Sequence, residues 1–466
     1  MPKDLRWYLE AIKDQMIIVD NEVDPYTNLA AYAAQSPAPI LFSNIKGYPG
    51  WKMCDMLLKT REVQGKAIGV DPKKVVPEMA RIMKRPGQCV MVNTGPVKDV
   101  KMIGDAVDLY KLPAPVHSNV NSGPYITAGM CVTKDPNTGI RNVTILRNQL
   151  KSRNSTGFLM AGGHTWENLS KYEERNEPMP MAIVIGHHPL FEVAAAFRGS
   201  YEMDEFELAS SLLGEPVELV KCETIDMEVP AWAEIVIEGT VPPKVRELEG
   251  PFCEFTNYCV AQGNNPVFNV SAITMRKDAI YRNIQTPRYT DHQAIASLPR
   301  EAHIFSRLKD VEGGLDLHDV HTPSWGGSFL VLVQMTPHFE GQAKTAILAA
   351  LSTANFMPKN VIVVDDDVNI YDARDVVWAM CTRVNPQTDV MIFDNMRIYP
   401  MDLACPQISP PGEKTYQRVG GKMGIDATKP SLFRKKEREE FERALPMGFG
   451  LKLSDLLGEA IQFDGI

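Results

Sequence analysis

The chain has 466 residues, of which 44% are hydrophobic and 23% are charged. This is the composition of an ordinary globular protein of two or three domains, most often an enzyme. The formal net charge of −9 argues against a nucleic-acid partner or an anionic membrane surface, because both need a basic face. No apolar run approaches the roughly 18–20 residues of a membrane helix, and eight scattered cysteines without a CxxC pair are typical of reduced thiols in a cytoplasmic protein.

The N-terminal segment, residues 1–115, mixes helical periodicity ("LRWYLEAI", "VVPEMARIMKR") with short strand-like runs ("APILFSNI", "QCVMVNT"). This mixture predicts an α/β domain. The following stretch, "LYKLPAPVHSNVNSGPY", is rich in proline, serine and glycine, which predicts a connection into a second domain.

From about Tyr125 to Arg282 the sequence is dominated by short β-rich runs such as "YITAGMCVTKD", "PMAIVIG" and "AEIVIEGTV". Many short strands separated by turns predict a small barrel or sandwich. "DEFELASSLLG" interrupts them as a predicted helix with Gly214 at its C-terminal cap.

The pattern changes again over residues 311–466. "SFLVLVQM", "EGQAKTAILAALSTA" and "NVIVVDDDVN" read as strand, helix and strand, the βαβ signature of a parallel sheet. "DARDVVWAMCTRV" and the charged "KKEREEFERAL" are predicted to be further helices. The three segments together predict an α/β (α+β) protein.

Several polar residues occur where they could carry chemistry. Asn142 and Arg147 lie in "RNVTILRNQLK", five residues apart, and so would face opposite sides of a regular strand. His164 follows two glycines in "AGGHTW", although His187 and His188 compete with it for any role. Each of these also has a purely structural interpretation, as a solvent-facing arginine or a packed histidine.

Acidic residues supply the remaining candidates. Glu205 stands near the start of a predicted helix, where it could simply complement the helix dipole. Glu249 and Glu254 flank a Gly-Pro turn in the apolar stretch "LEGPFCEFTNYC". Two carboxyls near one another, or one near an arginine, would have different pKa values and could act as an acid and a base. The alternative is that they cap backbone amides. The three aspartates of "VIVVDDDVN" could bind Mg²⁺, but a solvated strand end is the simpler interpretation.

Dinucleotide, P-loop and nucleophile-elbow functions lose their usual support. The sequence has no GxGxxG after a strand, no GxxxxGK[ST] and no GxSxG.

Five motifs in one order resemble the UbiD family of decarboxylases, which use prenylated FMN. They are "RNVTILRNQLK", "DEFELASSLLGEPVELVKCETIDMEVPAWAEIVIEG", "LEGPFCEFTNYC", "NVIVVDDDVNIYDARDVVWAMCTR" and "GGKMGIDATKP". The resemblance implies an N-terminal α/β domain (1–115), a central split β-barrel that binds the flavin (116–310) and a C-terminal α/β oligomerisation domain (311–466).

The resemblance also implies cofactors and partners. These are prenylated FMN, Mn²⁺ (or Mg²⁺) and K⁺, a flavin prenyltransferase as cofactor supplier, and a homodimer or homohexamer. Asn142, His164 and Glu205 match the family's metal ligands, and their hard or borderline donor atoms suit a cation that bridges to a phosphate. For the lysine that would contact this phosphate, Lys344, Lys359 and Lys422 are all available.

The catalytic roles follow from the same resemblance. Arg147, Glu249 and Glu254 match the family's Glu-Arg-Glu network. Arg147 would orient the substrate carboxylate, the substrate carbon would bond to the cofactor, and after loss of CO₂ Glu254 would protonate the remaining carbon, with Glu249 tuning it through Arg147. The strand around Asn142–Arg147 would have to bend around the flavin, with Thr144 and Ile145 in contact with it.

The substrate is expected to be an aromatic or unsaturated acid. His292 and Arg300 lie eight residues apart, about two helical turns, and could bind a second carboxylate. This pair of residues resembles the furan-2,5-dicarboxylate branch of the family. The alternative substrate is a phenolic acid, and the alternative function is that of a non-catalytic subunit that binds flavin or metal. Tyr399 and Met401 match positions that line the pocket in relatives, and Cys253 and Asn257 stand where glycine is usual in the family.

Overall fold

The computed structural model describes residues 2–160, 162–260, 262–286, 290–353, 358–408, 418–448 and 451. The described residues contain the following α-helices: α1 (Leu5–Ala11), α2 (Leu29–Gln35), α3 (Arg61–Ile68), α4 (Val75–Ile82), α5 (His164–Glu174), α6 (Leu190–Ala195), α7 (Glu205–Leu213), α8 (Asp291–Lys309), α9 (Gln342–Leu351), α10 (Ala373–Arg383), α11 (Pro386–Asp389) and α12 (Lys435–Glu439).

The strands are numbered in the same way. They are β1 (Ile17–Val19), β2 (Ile40–Phe42), β3 (Lys52–Asp55), β4 (Cys89–Met91), β5 (Val100–Ile103), β6 (Tyr125–Ile126), β7 (Met130–Lys134), β8 (Arg141–Ile145), β9 (Asn148–Ser152), β10 (Ser155–Phe158), β11 (Met179–Ile185), β12 (Val217–Lys221), β13 (Glu228–Pro230), β14 (Ile235–Val241), β15 (Arg246–Glu249), β16 (Phe252–Cys253), β17 (Cys259–Val260), β18 (Gly263–Met275), β19 (Ile280–Arg282), β20 (Asp316–His321), β21 (Leu330–Thr336), β22 (Asn360–Val364), β23 (Val390–Ile398) and β24 (Arg418–Ala427).

The central sheet follows the order β6-β9-β10-β18-β14-β11-β7-β8, with β5 and β15 also paired to β18. The inner strand β11 is apolar throughout because both faces are buried: Ala182 and Val184 pack into one hydrophobic cluster, and Ile183 and Ile185 pack into another. The alternation of side chains along a strand makes such a continuous apolar run the expected sequence of a doubly covered strand.

The ends of this sheet approach each other without closing. β8 ends the sheet and β9 is the second strand from the other end, yet only Leu146 and Arg147 join them. Three steps of about 3.8 Å keep Ile145 and Asn148 within roughly 11 Å of each other. The sheet is therefore curled into a split barrel rather than a closed one. The chain leaves its regular strand conformation at Leu146–Arg147, which agrees with the irregularity expected between Asn142 and Arg147.

The C-terminal sheet has the order β20-β21-β22-β24-β23. β21 and β22 are parallel and joined through α9, which confirms the predicted βαβ unit. Leu330 and Leu332 pack on one face with α10, whereas Val331 and Val333 join the cluster that includes α9. The mixed α/β class predicted for the chain is confirmed.

One helix prediction is confirmed, and a second holds for only part of its segment. Gly214 caps α7 in the left-handed region (φ 71°), which glycine adopts without steric cost. The charged segment "KKEREEFERAL" is helical only over Lys435–Glu439 and buries none of its residues. A helix without an apolar face gains no packing energy, so it stays short.

Strand pairing links the predicted N-terminal and central domains. β3 pairs with β19, β4 with β12, and β5 with β18. The first 115 residues thus contribute strands to sheets that they share with later residues. The domain boundaries at residues 115 and 310 remain predictions.

One buried ionic cluster fastens these parts together. Arg282, at the end of β19, has no exposed surface; its Nε and Nη2 donate to the two carboxylate oxygens of Glu192 at 2.8 Å, and Nη2 also bonds Asp291. Asp291 in turn accepts from the amides of Leu57 and Leu58 at 2.9 and 2.8 Å. The cluster thus holds the ends of α6 and α8, the two helices that lead to the cavity described below.

Among the described residues, no helix is both long enough and apolar enough to cross a membrane.

Candidate active site

Arg147 joins the two glutamates of the "LEGPFCEFTNYC" segment. Its Nε and Nη2 donate to the two oxygens of Glu249, both at 3.0 Å, and its Nη1 bonds Glu254 Oε1. All three residues are buried. Burial by itself lowers the pKa of Arg147, but Glu254 and Glu249 outweigh burial and hold the pKa above its ordinary value. The guanidinium is therefore a permanent cation between two carboxyl groups.

The two glutamates differ in their surroundings. Glu249 has no exposed surface and also accepts from Tyr125 Oη and Asn265 Nδ2, both at 3.2 Å. Glu254 lies on the wall of a cavity. The sequence alone does not single out Tyr125 or Asn265. Tyr125 is more than 100 positions from Glu249, and Asn265 lies across a hairpin from it, so no local pattern links either residue to this glutamate. Their contacts make Glu249 the anchored carboxylate and Glu254 the accessible one.

The turn after Glu254 explains one departure from the usual family motif. Asn257 has φ 64°, in the left-handed region that glycine prefers and asparagine tolerates better than other residues. The Asn257 amide donates to the Glu254 carbonyl at 2.8 Å, and the Glu254 amide donates to the Tyr258 carbonyl at 3.0 Å. Asn257 thus keeps the turn that presents Glu254.

A cavity of about 330 Å³ lies where these residues meet the C-terminal part of the chain. Thr144 and Ile145 line it beside Arg147, and Ala195–Arg198, at the end of α6, form a second wall. A larger cavity of about 520 Å³ lies on the other side of α8. In the larger cavity, Arg61 bonds Glu301 at 2.6 Å. The smaller cavity is the candidate active site because Arg147 and Glu254 border it.

The predicted substrate-binding residues meet in this cavity with one exception. His292 and Arg300 extend from α8, and Tyr399 lies opposite; all three line the cavity. Arg300 Nη1 donates to the Ser328 carbonyl at 2.6 Å, and burial lowers the pKa of Arg300 to about 10, with Arg198 adding to the effect. Met401 is half-buried and is not among the described residues that line the cavity, so its role stays a prediction.

His292 has a buried ring nitrogen, Nδ1, that lacks a hydrogen-bond partner in the described part of the chain. Burial also lowers the pKa of His292. A neutral imidazole with one free nitrogen can accept from, or after a tautomer change donate to, a polar ligand group.

Two of the three predicted metal ligands, Asn142 and Glu205, meet at β8, and the third, His164, precedes Thr165, which bonds Asn142. Asn142, on β8 itself, donates through Nδ2 to Thr165 Oγ1 at 2.7 Å, which orients the amide oxygen away from that contact. His164 and Glu205 are the first residues of α5 and α7, and Glu205 Oε2 accepts from the Val143 amide at 2.6 Å. Burial raises the pKa of Glu205 to about 8. A carboxylate, an amide and an imidazole together offer donor atoms that suit a divalent metal.

The lysines proposed for phosphate contact lie elsewhere. Lys344 and Lys422 donate to the carbonyls of Thr388 and Leu351 at 2.8 and 3.0 Å, and Lys359 pairs with Asp402 at 2.7 Å. Among the described residues that line the cavity there is no lysine.

The aspartates Asp365–Asp367 lie close enough together to hold a cation. Basic side chains already neutralise them: Arg438 bonds Asp365, and Arg383 bonds Asp367 at 2.7 Å. These pairs favour the simpler interpretation, a strand end satisfied by the protein itself.

Comparison with known proteins identifies the family. Models for the three domains of 3-octaprenyl-4-hydroxybenzoate carboxy-lyase match this chain: the N-terminal domain over residues 9–83, the Rift-related domain over 89–289 and the C-terminal domain over 293–427. The chain belongs to the UbiD family and is a decarboxylase, a carboxy-lyase of that family.

Individual relatives are similar over nearly the whole chain. The anhydromevalonate phosphate decarboxylase of Methanosarcina mazei is 32% identical over 92% of this chain and 96% of its own length. The UbiD-class enzyme HmfF of Pelotomaculum thermopropionicum, solved in complex with FMN, has a TM-score of 0.88 at 35% identity over 97% of this chain and 99% of its own. Apo 3,4-dihydroxybenzoic acid decarboxylase of Klebsiella pneumoniae has a TM-score of 0.86 at 27% identity over 99% of this chain and all of its own.

Proposed function

We propose that this protein catalyses the reversible, non-oxidative decarboxylation of a (hetero)aromatic carboxylic acid with prenylated FMN, and that furan-2,5-dicarboxylate is the lead substrate. The observation that carries the proposal is the simultaneous contact of Arg147 with Glu249 and Glu254 at the edge of a cavity. An evolved form of HmfF, 34% identical to this chain, was solved in complex with prenylated FMN, which supports the cofactor.

The cofactor and its metal fit residues of this chain. Thr144 and Ile145 would contact the flavin, and Asn142, His164 and Glu205 would hold Mn²⁺ (or Mg²⁺) beside its phosphate. When bound, prenylated FMN supplies an electrophilic carbon that withdraws electrons from the substrate. K⁺ is proposed as a further cofactor on the resemblance alone.

The protein's own residues divide the remaining work. Arg147 binds and orients the substrate carboxylate, because its Nη1 already faces the cavity side where Glu254 lies. Glu249 holds the guanidinium in place through two hydrogen bonds and does not reach the cavity. Glu254 lines the cavity and donates the proton that takes the place of CO₂ on the product carbon.

The substrate is proposed to carry a second anionic group. Arg300 and His292 extend from one helix into the cavity, and Arg198 lies near its opening with Nη2 donating to Tyr399 Oη at 3.2 Å. These groups, away from Arg147, could bind the second carboxylate of furan-2,5-dicarboxylate. The positive charges of Arg300 and Arg198 also favour a second candidate, an unsaturated acid that carries a phosphate, as acted on by the anhydromevalonate phosphate decarboxylases.

Replacing Arg300 tests the second anionic group. In Arg300→Ala, we expect the KM for furan-2,5-dicarboxylate to rise about 10- to 100-fold, because the substrate loses one or more hydrogen bonds to a charged group. The KM for furan-2-carboxylate should change less than about threefold, as measured by CO₂ release.

Arg307→Ala is the matched control, since Arg307 lies on the same helix but is exposed. Equal effects of Arg300→Ala on the dicarboxylate and the monocarboxylate would refute the second-anion proposal while leaving the decarboxylase intact.

The metal proposal predicts loss of Mn²⁺ binding in Glu205→Gln. The glutamine keeps the hydrogen bond to the Val143 amide but loses the charge, so affinity measured by calorimetric titration of MnCl₂ in the presence of FMN should fall by more than about 100-fold. Glu207→Gln, exposed in the first turn of the same helix, should bind as the unmodified protein does. Unchanged affinity in Glu205→Gln would exclude Glu205 as a ligand.

The overall function is tested on protein co-expressed with a flavin prenyltransferase. We expect a flavin-like absorption spectrum and CO₂ release from furan, phenolic or phosphate-bearing unsaturated acids. A flavin spectrum without CO₂ release from any of these acids would favour the alternative of a non-catalytic flavin- and metal-binding subunit.

A further inference from the structure

Cys253 and Cys259 lie opposite each other in the hairpin that carries Glu254. β16 and β17 pair antiparallel, with Phe252 opposite Val260 and Cys253 opposite Cys259. Both cysteines are free thiols in this structure. The position of Cys253, where family members usually have glycine, has no role in the proposed chemistry.

The hydrogen-bond pattern determines which kind of cross-strand pair they form. The Glu254 amide donates to the Tyr258 carbonyl at 3.0 Å, so Glu254 and Tyr258 are a hydrogen-bonded pair. Hydrogen-bonded and non-hydrogen-bonded pairs alternate along antiparallel strands, so Cys253 and Cys259 form a non-hydrogen-bonded pair. In such pairs the Cα atoms are about 4.5 Å apart and the side chains are on the same face.

This spacing falls inside the range that a disulfide needs, about 4.4–6.8 Å between Cα atoms. The backbone of Cys253 is held in place from its outer side: its amide donates to Asn121 Oδ1 at 3.0 Å, and its carbonyl accepts from Thr286 Oγ1 at 3.1 Å. No change in the register of the hairpin is required for the sulfurs to meet, since rotation of the side chains suffices.

The two thiols differ in their access to solvent. Cys259 is exposed, whereas Cys253 is 7% exposed and burial raises its pKa. An oxidant from solution therefore reaches Cys259 first, and Cys253 is protected from reacting on its own.

We propose that Cys253 and Cys259 are a modification site that forms a reversible disulfide in reaction with a small-molecule disulfide. The Cys259 thiolate attacks one sulfur of the oxidant, which breaks the oxidant's S–S bond, forms a mixed disulfide and releases one small thiol. Cys253, after losing its proton, then attacks the Cys259 sulfur and releases the second small thiol. The two protein thiols are oxidised by two electrons, and the oxidant is reduced to two thiols.

The bond would close a small ring around Glu254. Residues 254–258, which include Glu254 and its turn, lie between the two cysteines. Oxidation would thus tie together the two sides of the turn that presents Glu254 to the cavity, without involving Arg147 or Glu249.

The test uses oxidised glutathione on the purified full-length protein, followed by alkylation of free thiols and digestion with trypsin. Cys253 and Cys259 fall in a single expected tryptic peptide, residues 247–276, which has no internal lysine or arginine and no other cysteine. We expect this peptide to become lighter by two hydrogens and to resist alkylation, and the protein to lose two titratable thiols, with both changes reversed by dithiothreitol.

Two variants and one control separate the steps. Cys253→Ser should retain a glutathione adduct on Cys259, whereas Cys259→Ser should leave Cys253 alkylated. Cys381→Ser, which removes another exposed cysteine, should still form the internal bond. Two outcomes in the unsubstituted protein would overturn the proposal. In the first, peptide 247–276 carries glutathione on Cys259 and is alkylated at Cys253; in the second, it is alkylated at both positions.

Discussion

Glu254→Gln is expected to lower the rate of CO₂ release by about 100- to 10,000-fold, the usual contribution of a positioned proton donor. The amide can still accept the hydrogen bond from Arg147 Nη1, so the guanidinium stays in place, but it cannot donate the proton that the product carbon needs. We therefore expect the fall in kcat with a change in KM below about threefold, measured by steady-state CO₂ release from the best substrate of the screen.

Binding and chemistry can be separated in the same variant. The flavin absorption of Glu254→Gln should match that of the unsubstituted protein, because Glu254 is not among the residues proposed to hold the cofactor or its metal. Glu247→Gln is the matched control, since Glu247 lies on the neighbouring strand β15 but is exposed. If Glu254→Gln turned over at an unchanged rate, Glu254 would not be the proton donor.

Arg282→Met is expected to have the largest effect on stability, a loss of about 3–5 kcal/mol in the free energy of unfolding. Arg282 has no exposed surface and bonds Glu192 and Asp291, with Asp55 at 3.8 Å. Burial raises the pKa of Asp55 to about 7, so part of the local negative charge is neutralised by a proton. Removing the guanidinium leaves the buried carboxyls of Glu192 and Asp291 without their cation, and a buried unpaired carboxylate is costly.

Urea unfolding of three variants distinguishes lost charge compensation from lost packing. Lys13→Met removes a cation whose pair with Glu10 is exposed on both sides, 62% and 74%, and should change the free energy of unfolding by less than about 0.5 kcal/mol. Combining Arg282→Met with Glu192→Gln and Asp291→Asn should recover part of the loss, because no buried charge is then left unpaired. A loss below about 1 kcal/mol in Arg282→Met alone would contradict this account.

The local elements could be predicted from the sequence because each leaves a local pattern. α7 was marked by its polar start and by Gly214, and the βαβ unit by two apolar runs around a helical one. The charged tail was predicted to be more helical than it is, because periodicity alone does not show whether a helix has a surface to pack against.

The composition of the candidate site was predicted from ordered motifs, but its geometry was not. The strand parity of Asn142 and Arg147 required an irregularity, and the structure has it at Leu146–Arg147. Tyr125 and Asn265, which anchor Glu249, carry no motif, and Met401 does not line the cavity with Tyr399. Contacts of this kind depend on how distant segments pack, which residue spacing does not record.

By itself the sequence determined the mixed α/β class, the family, and the residue types that meet around Arg147. Periodicity, turn residues and ordered motifs are local properties, and the chain carries them before it folds. Only the tertiary structure decided that Glu249 is anchored while Glu254 faces the cavity, since these residues reach Arg147 across 102 and 107 positions of sequence. It also decided that Cys253 lies opposite Cys259. The reason is the same in both cases: burial and distance arise when the sheet curls and the hairpin packs against it, and neither is a property of any segment alone.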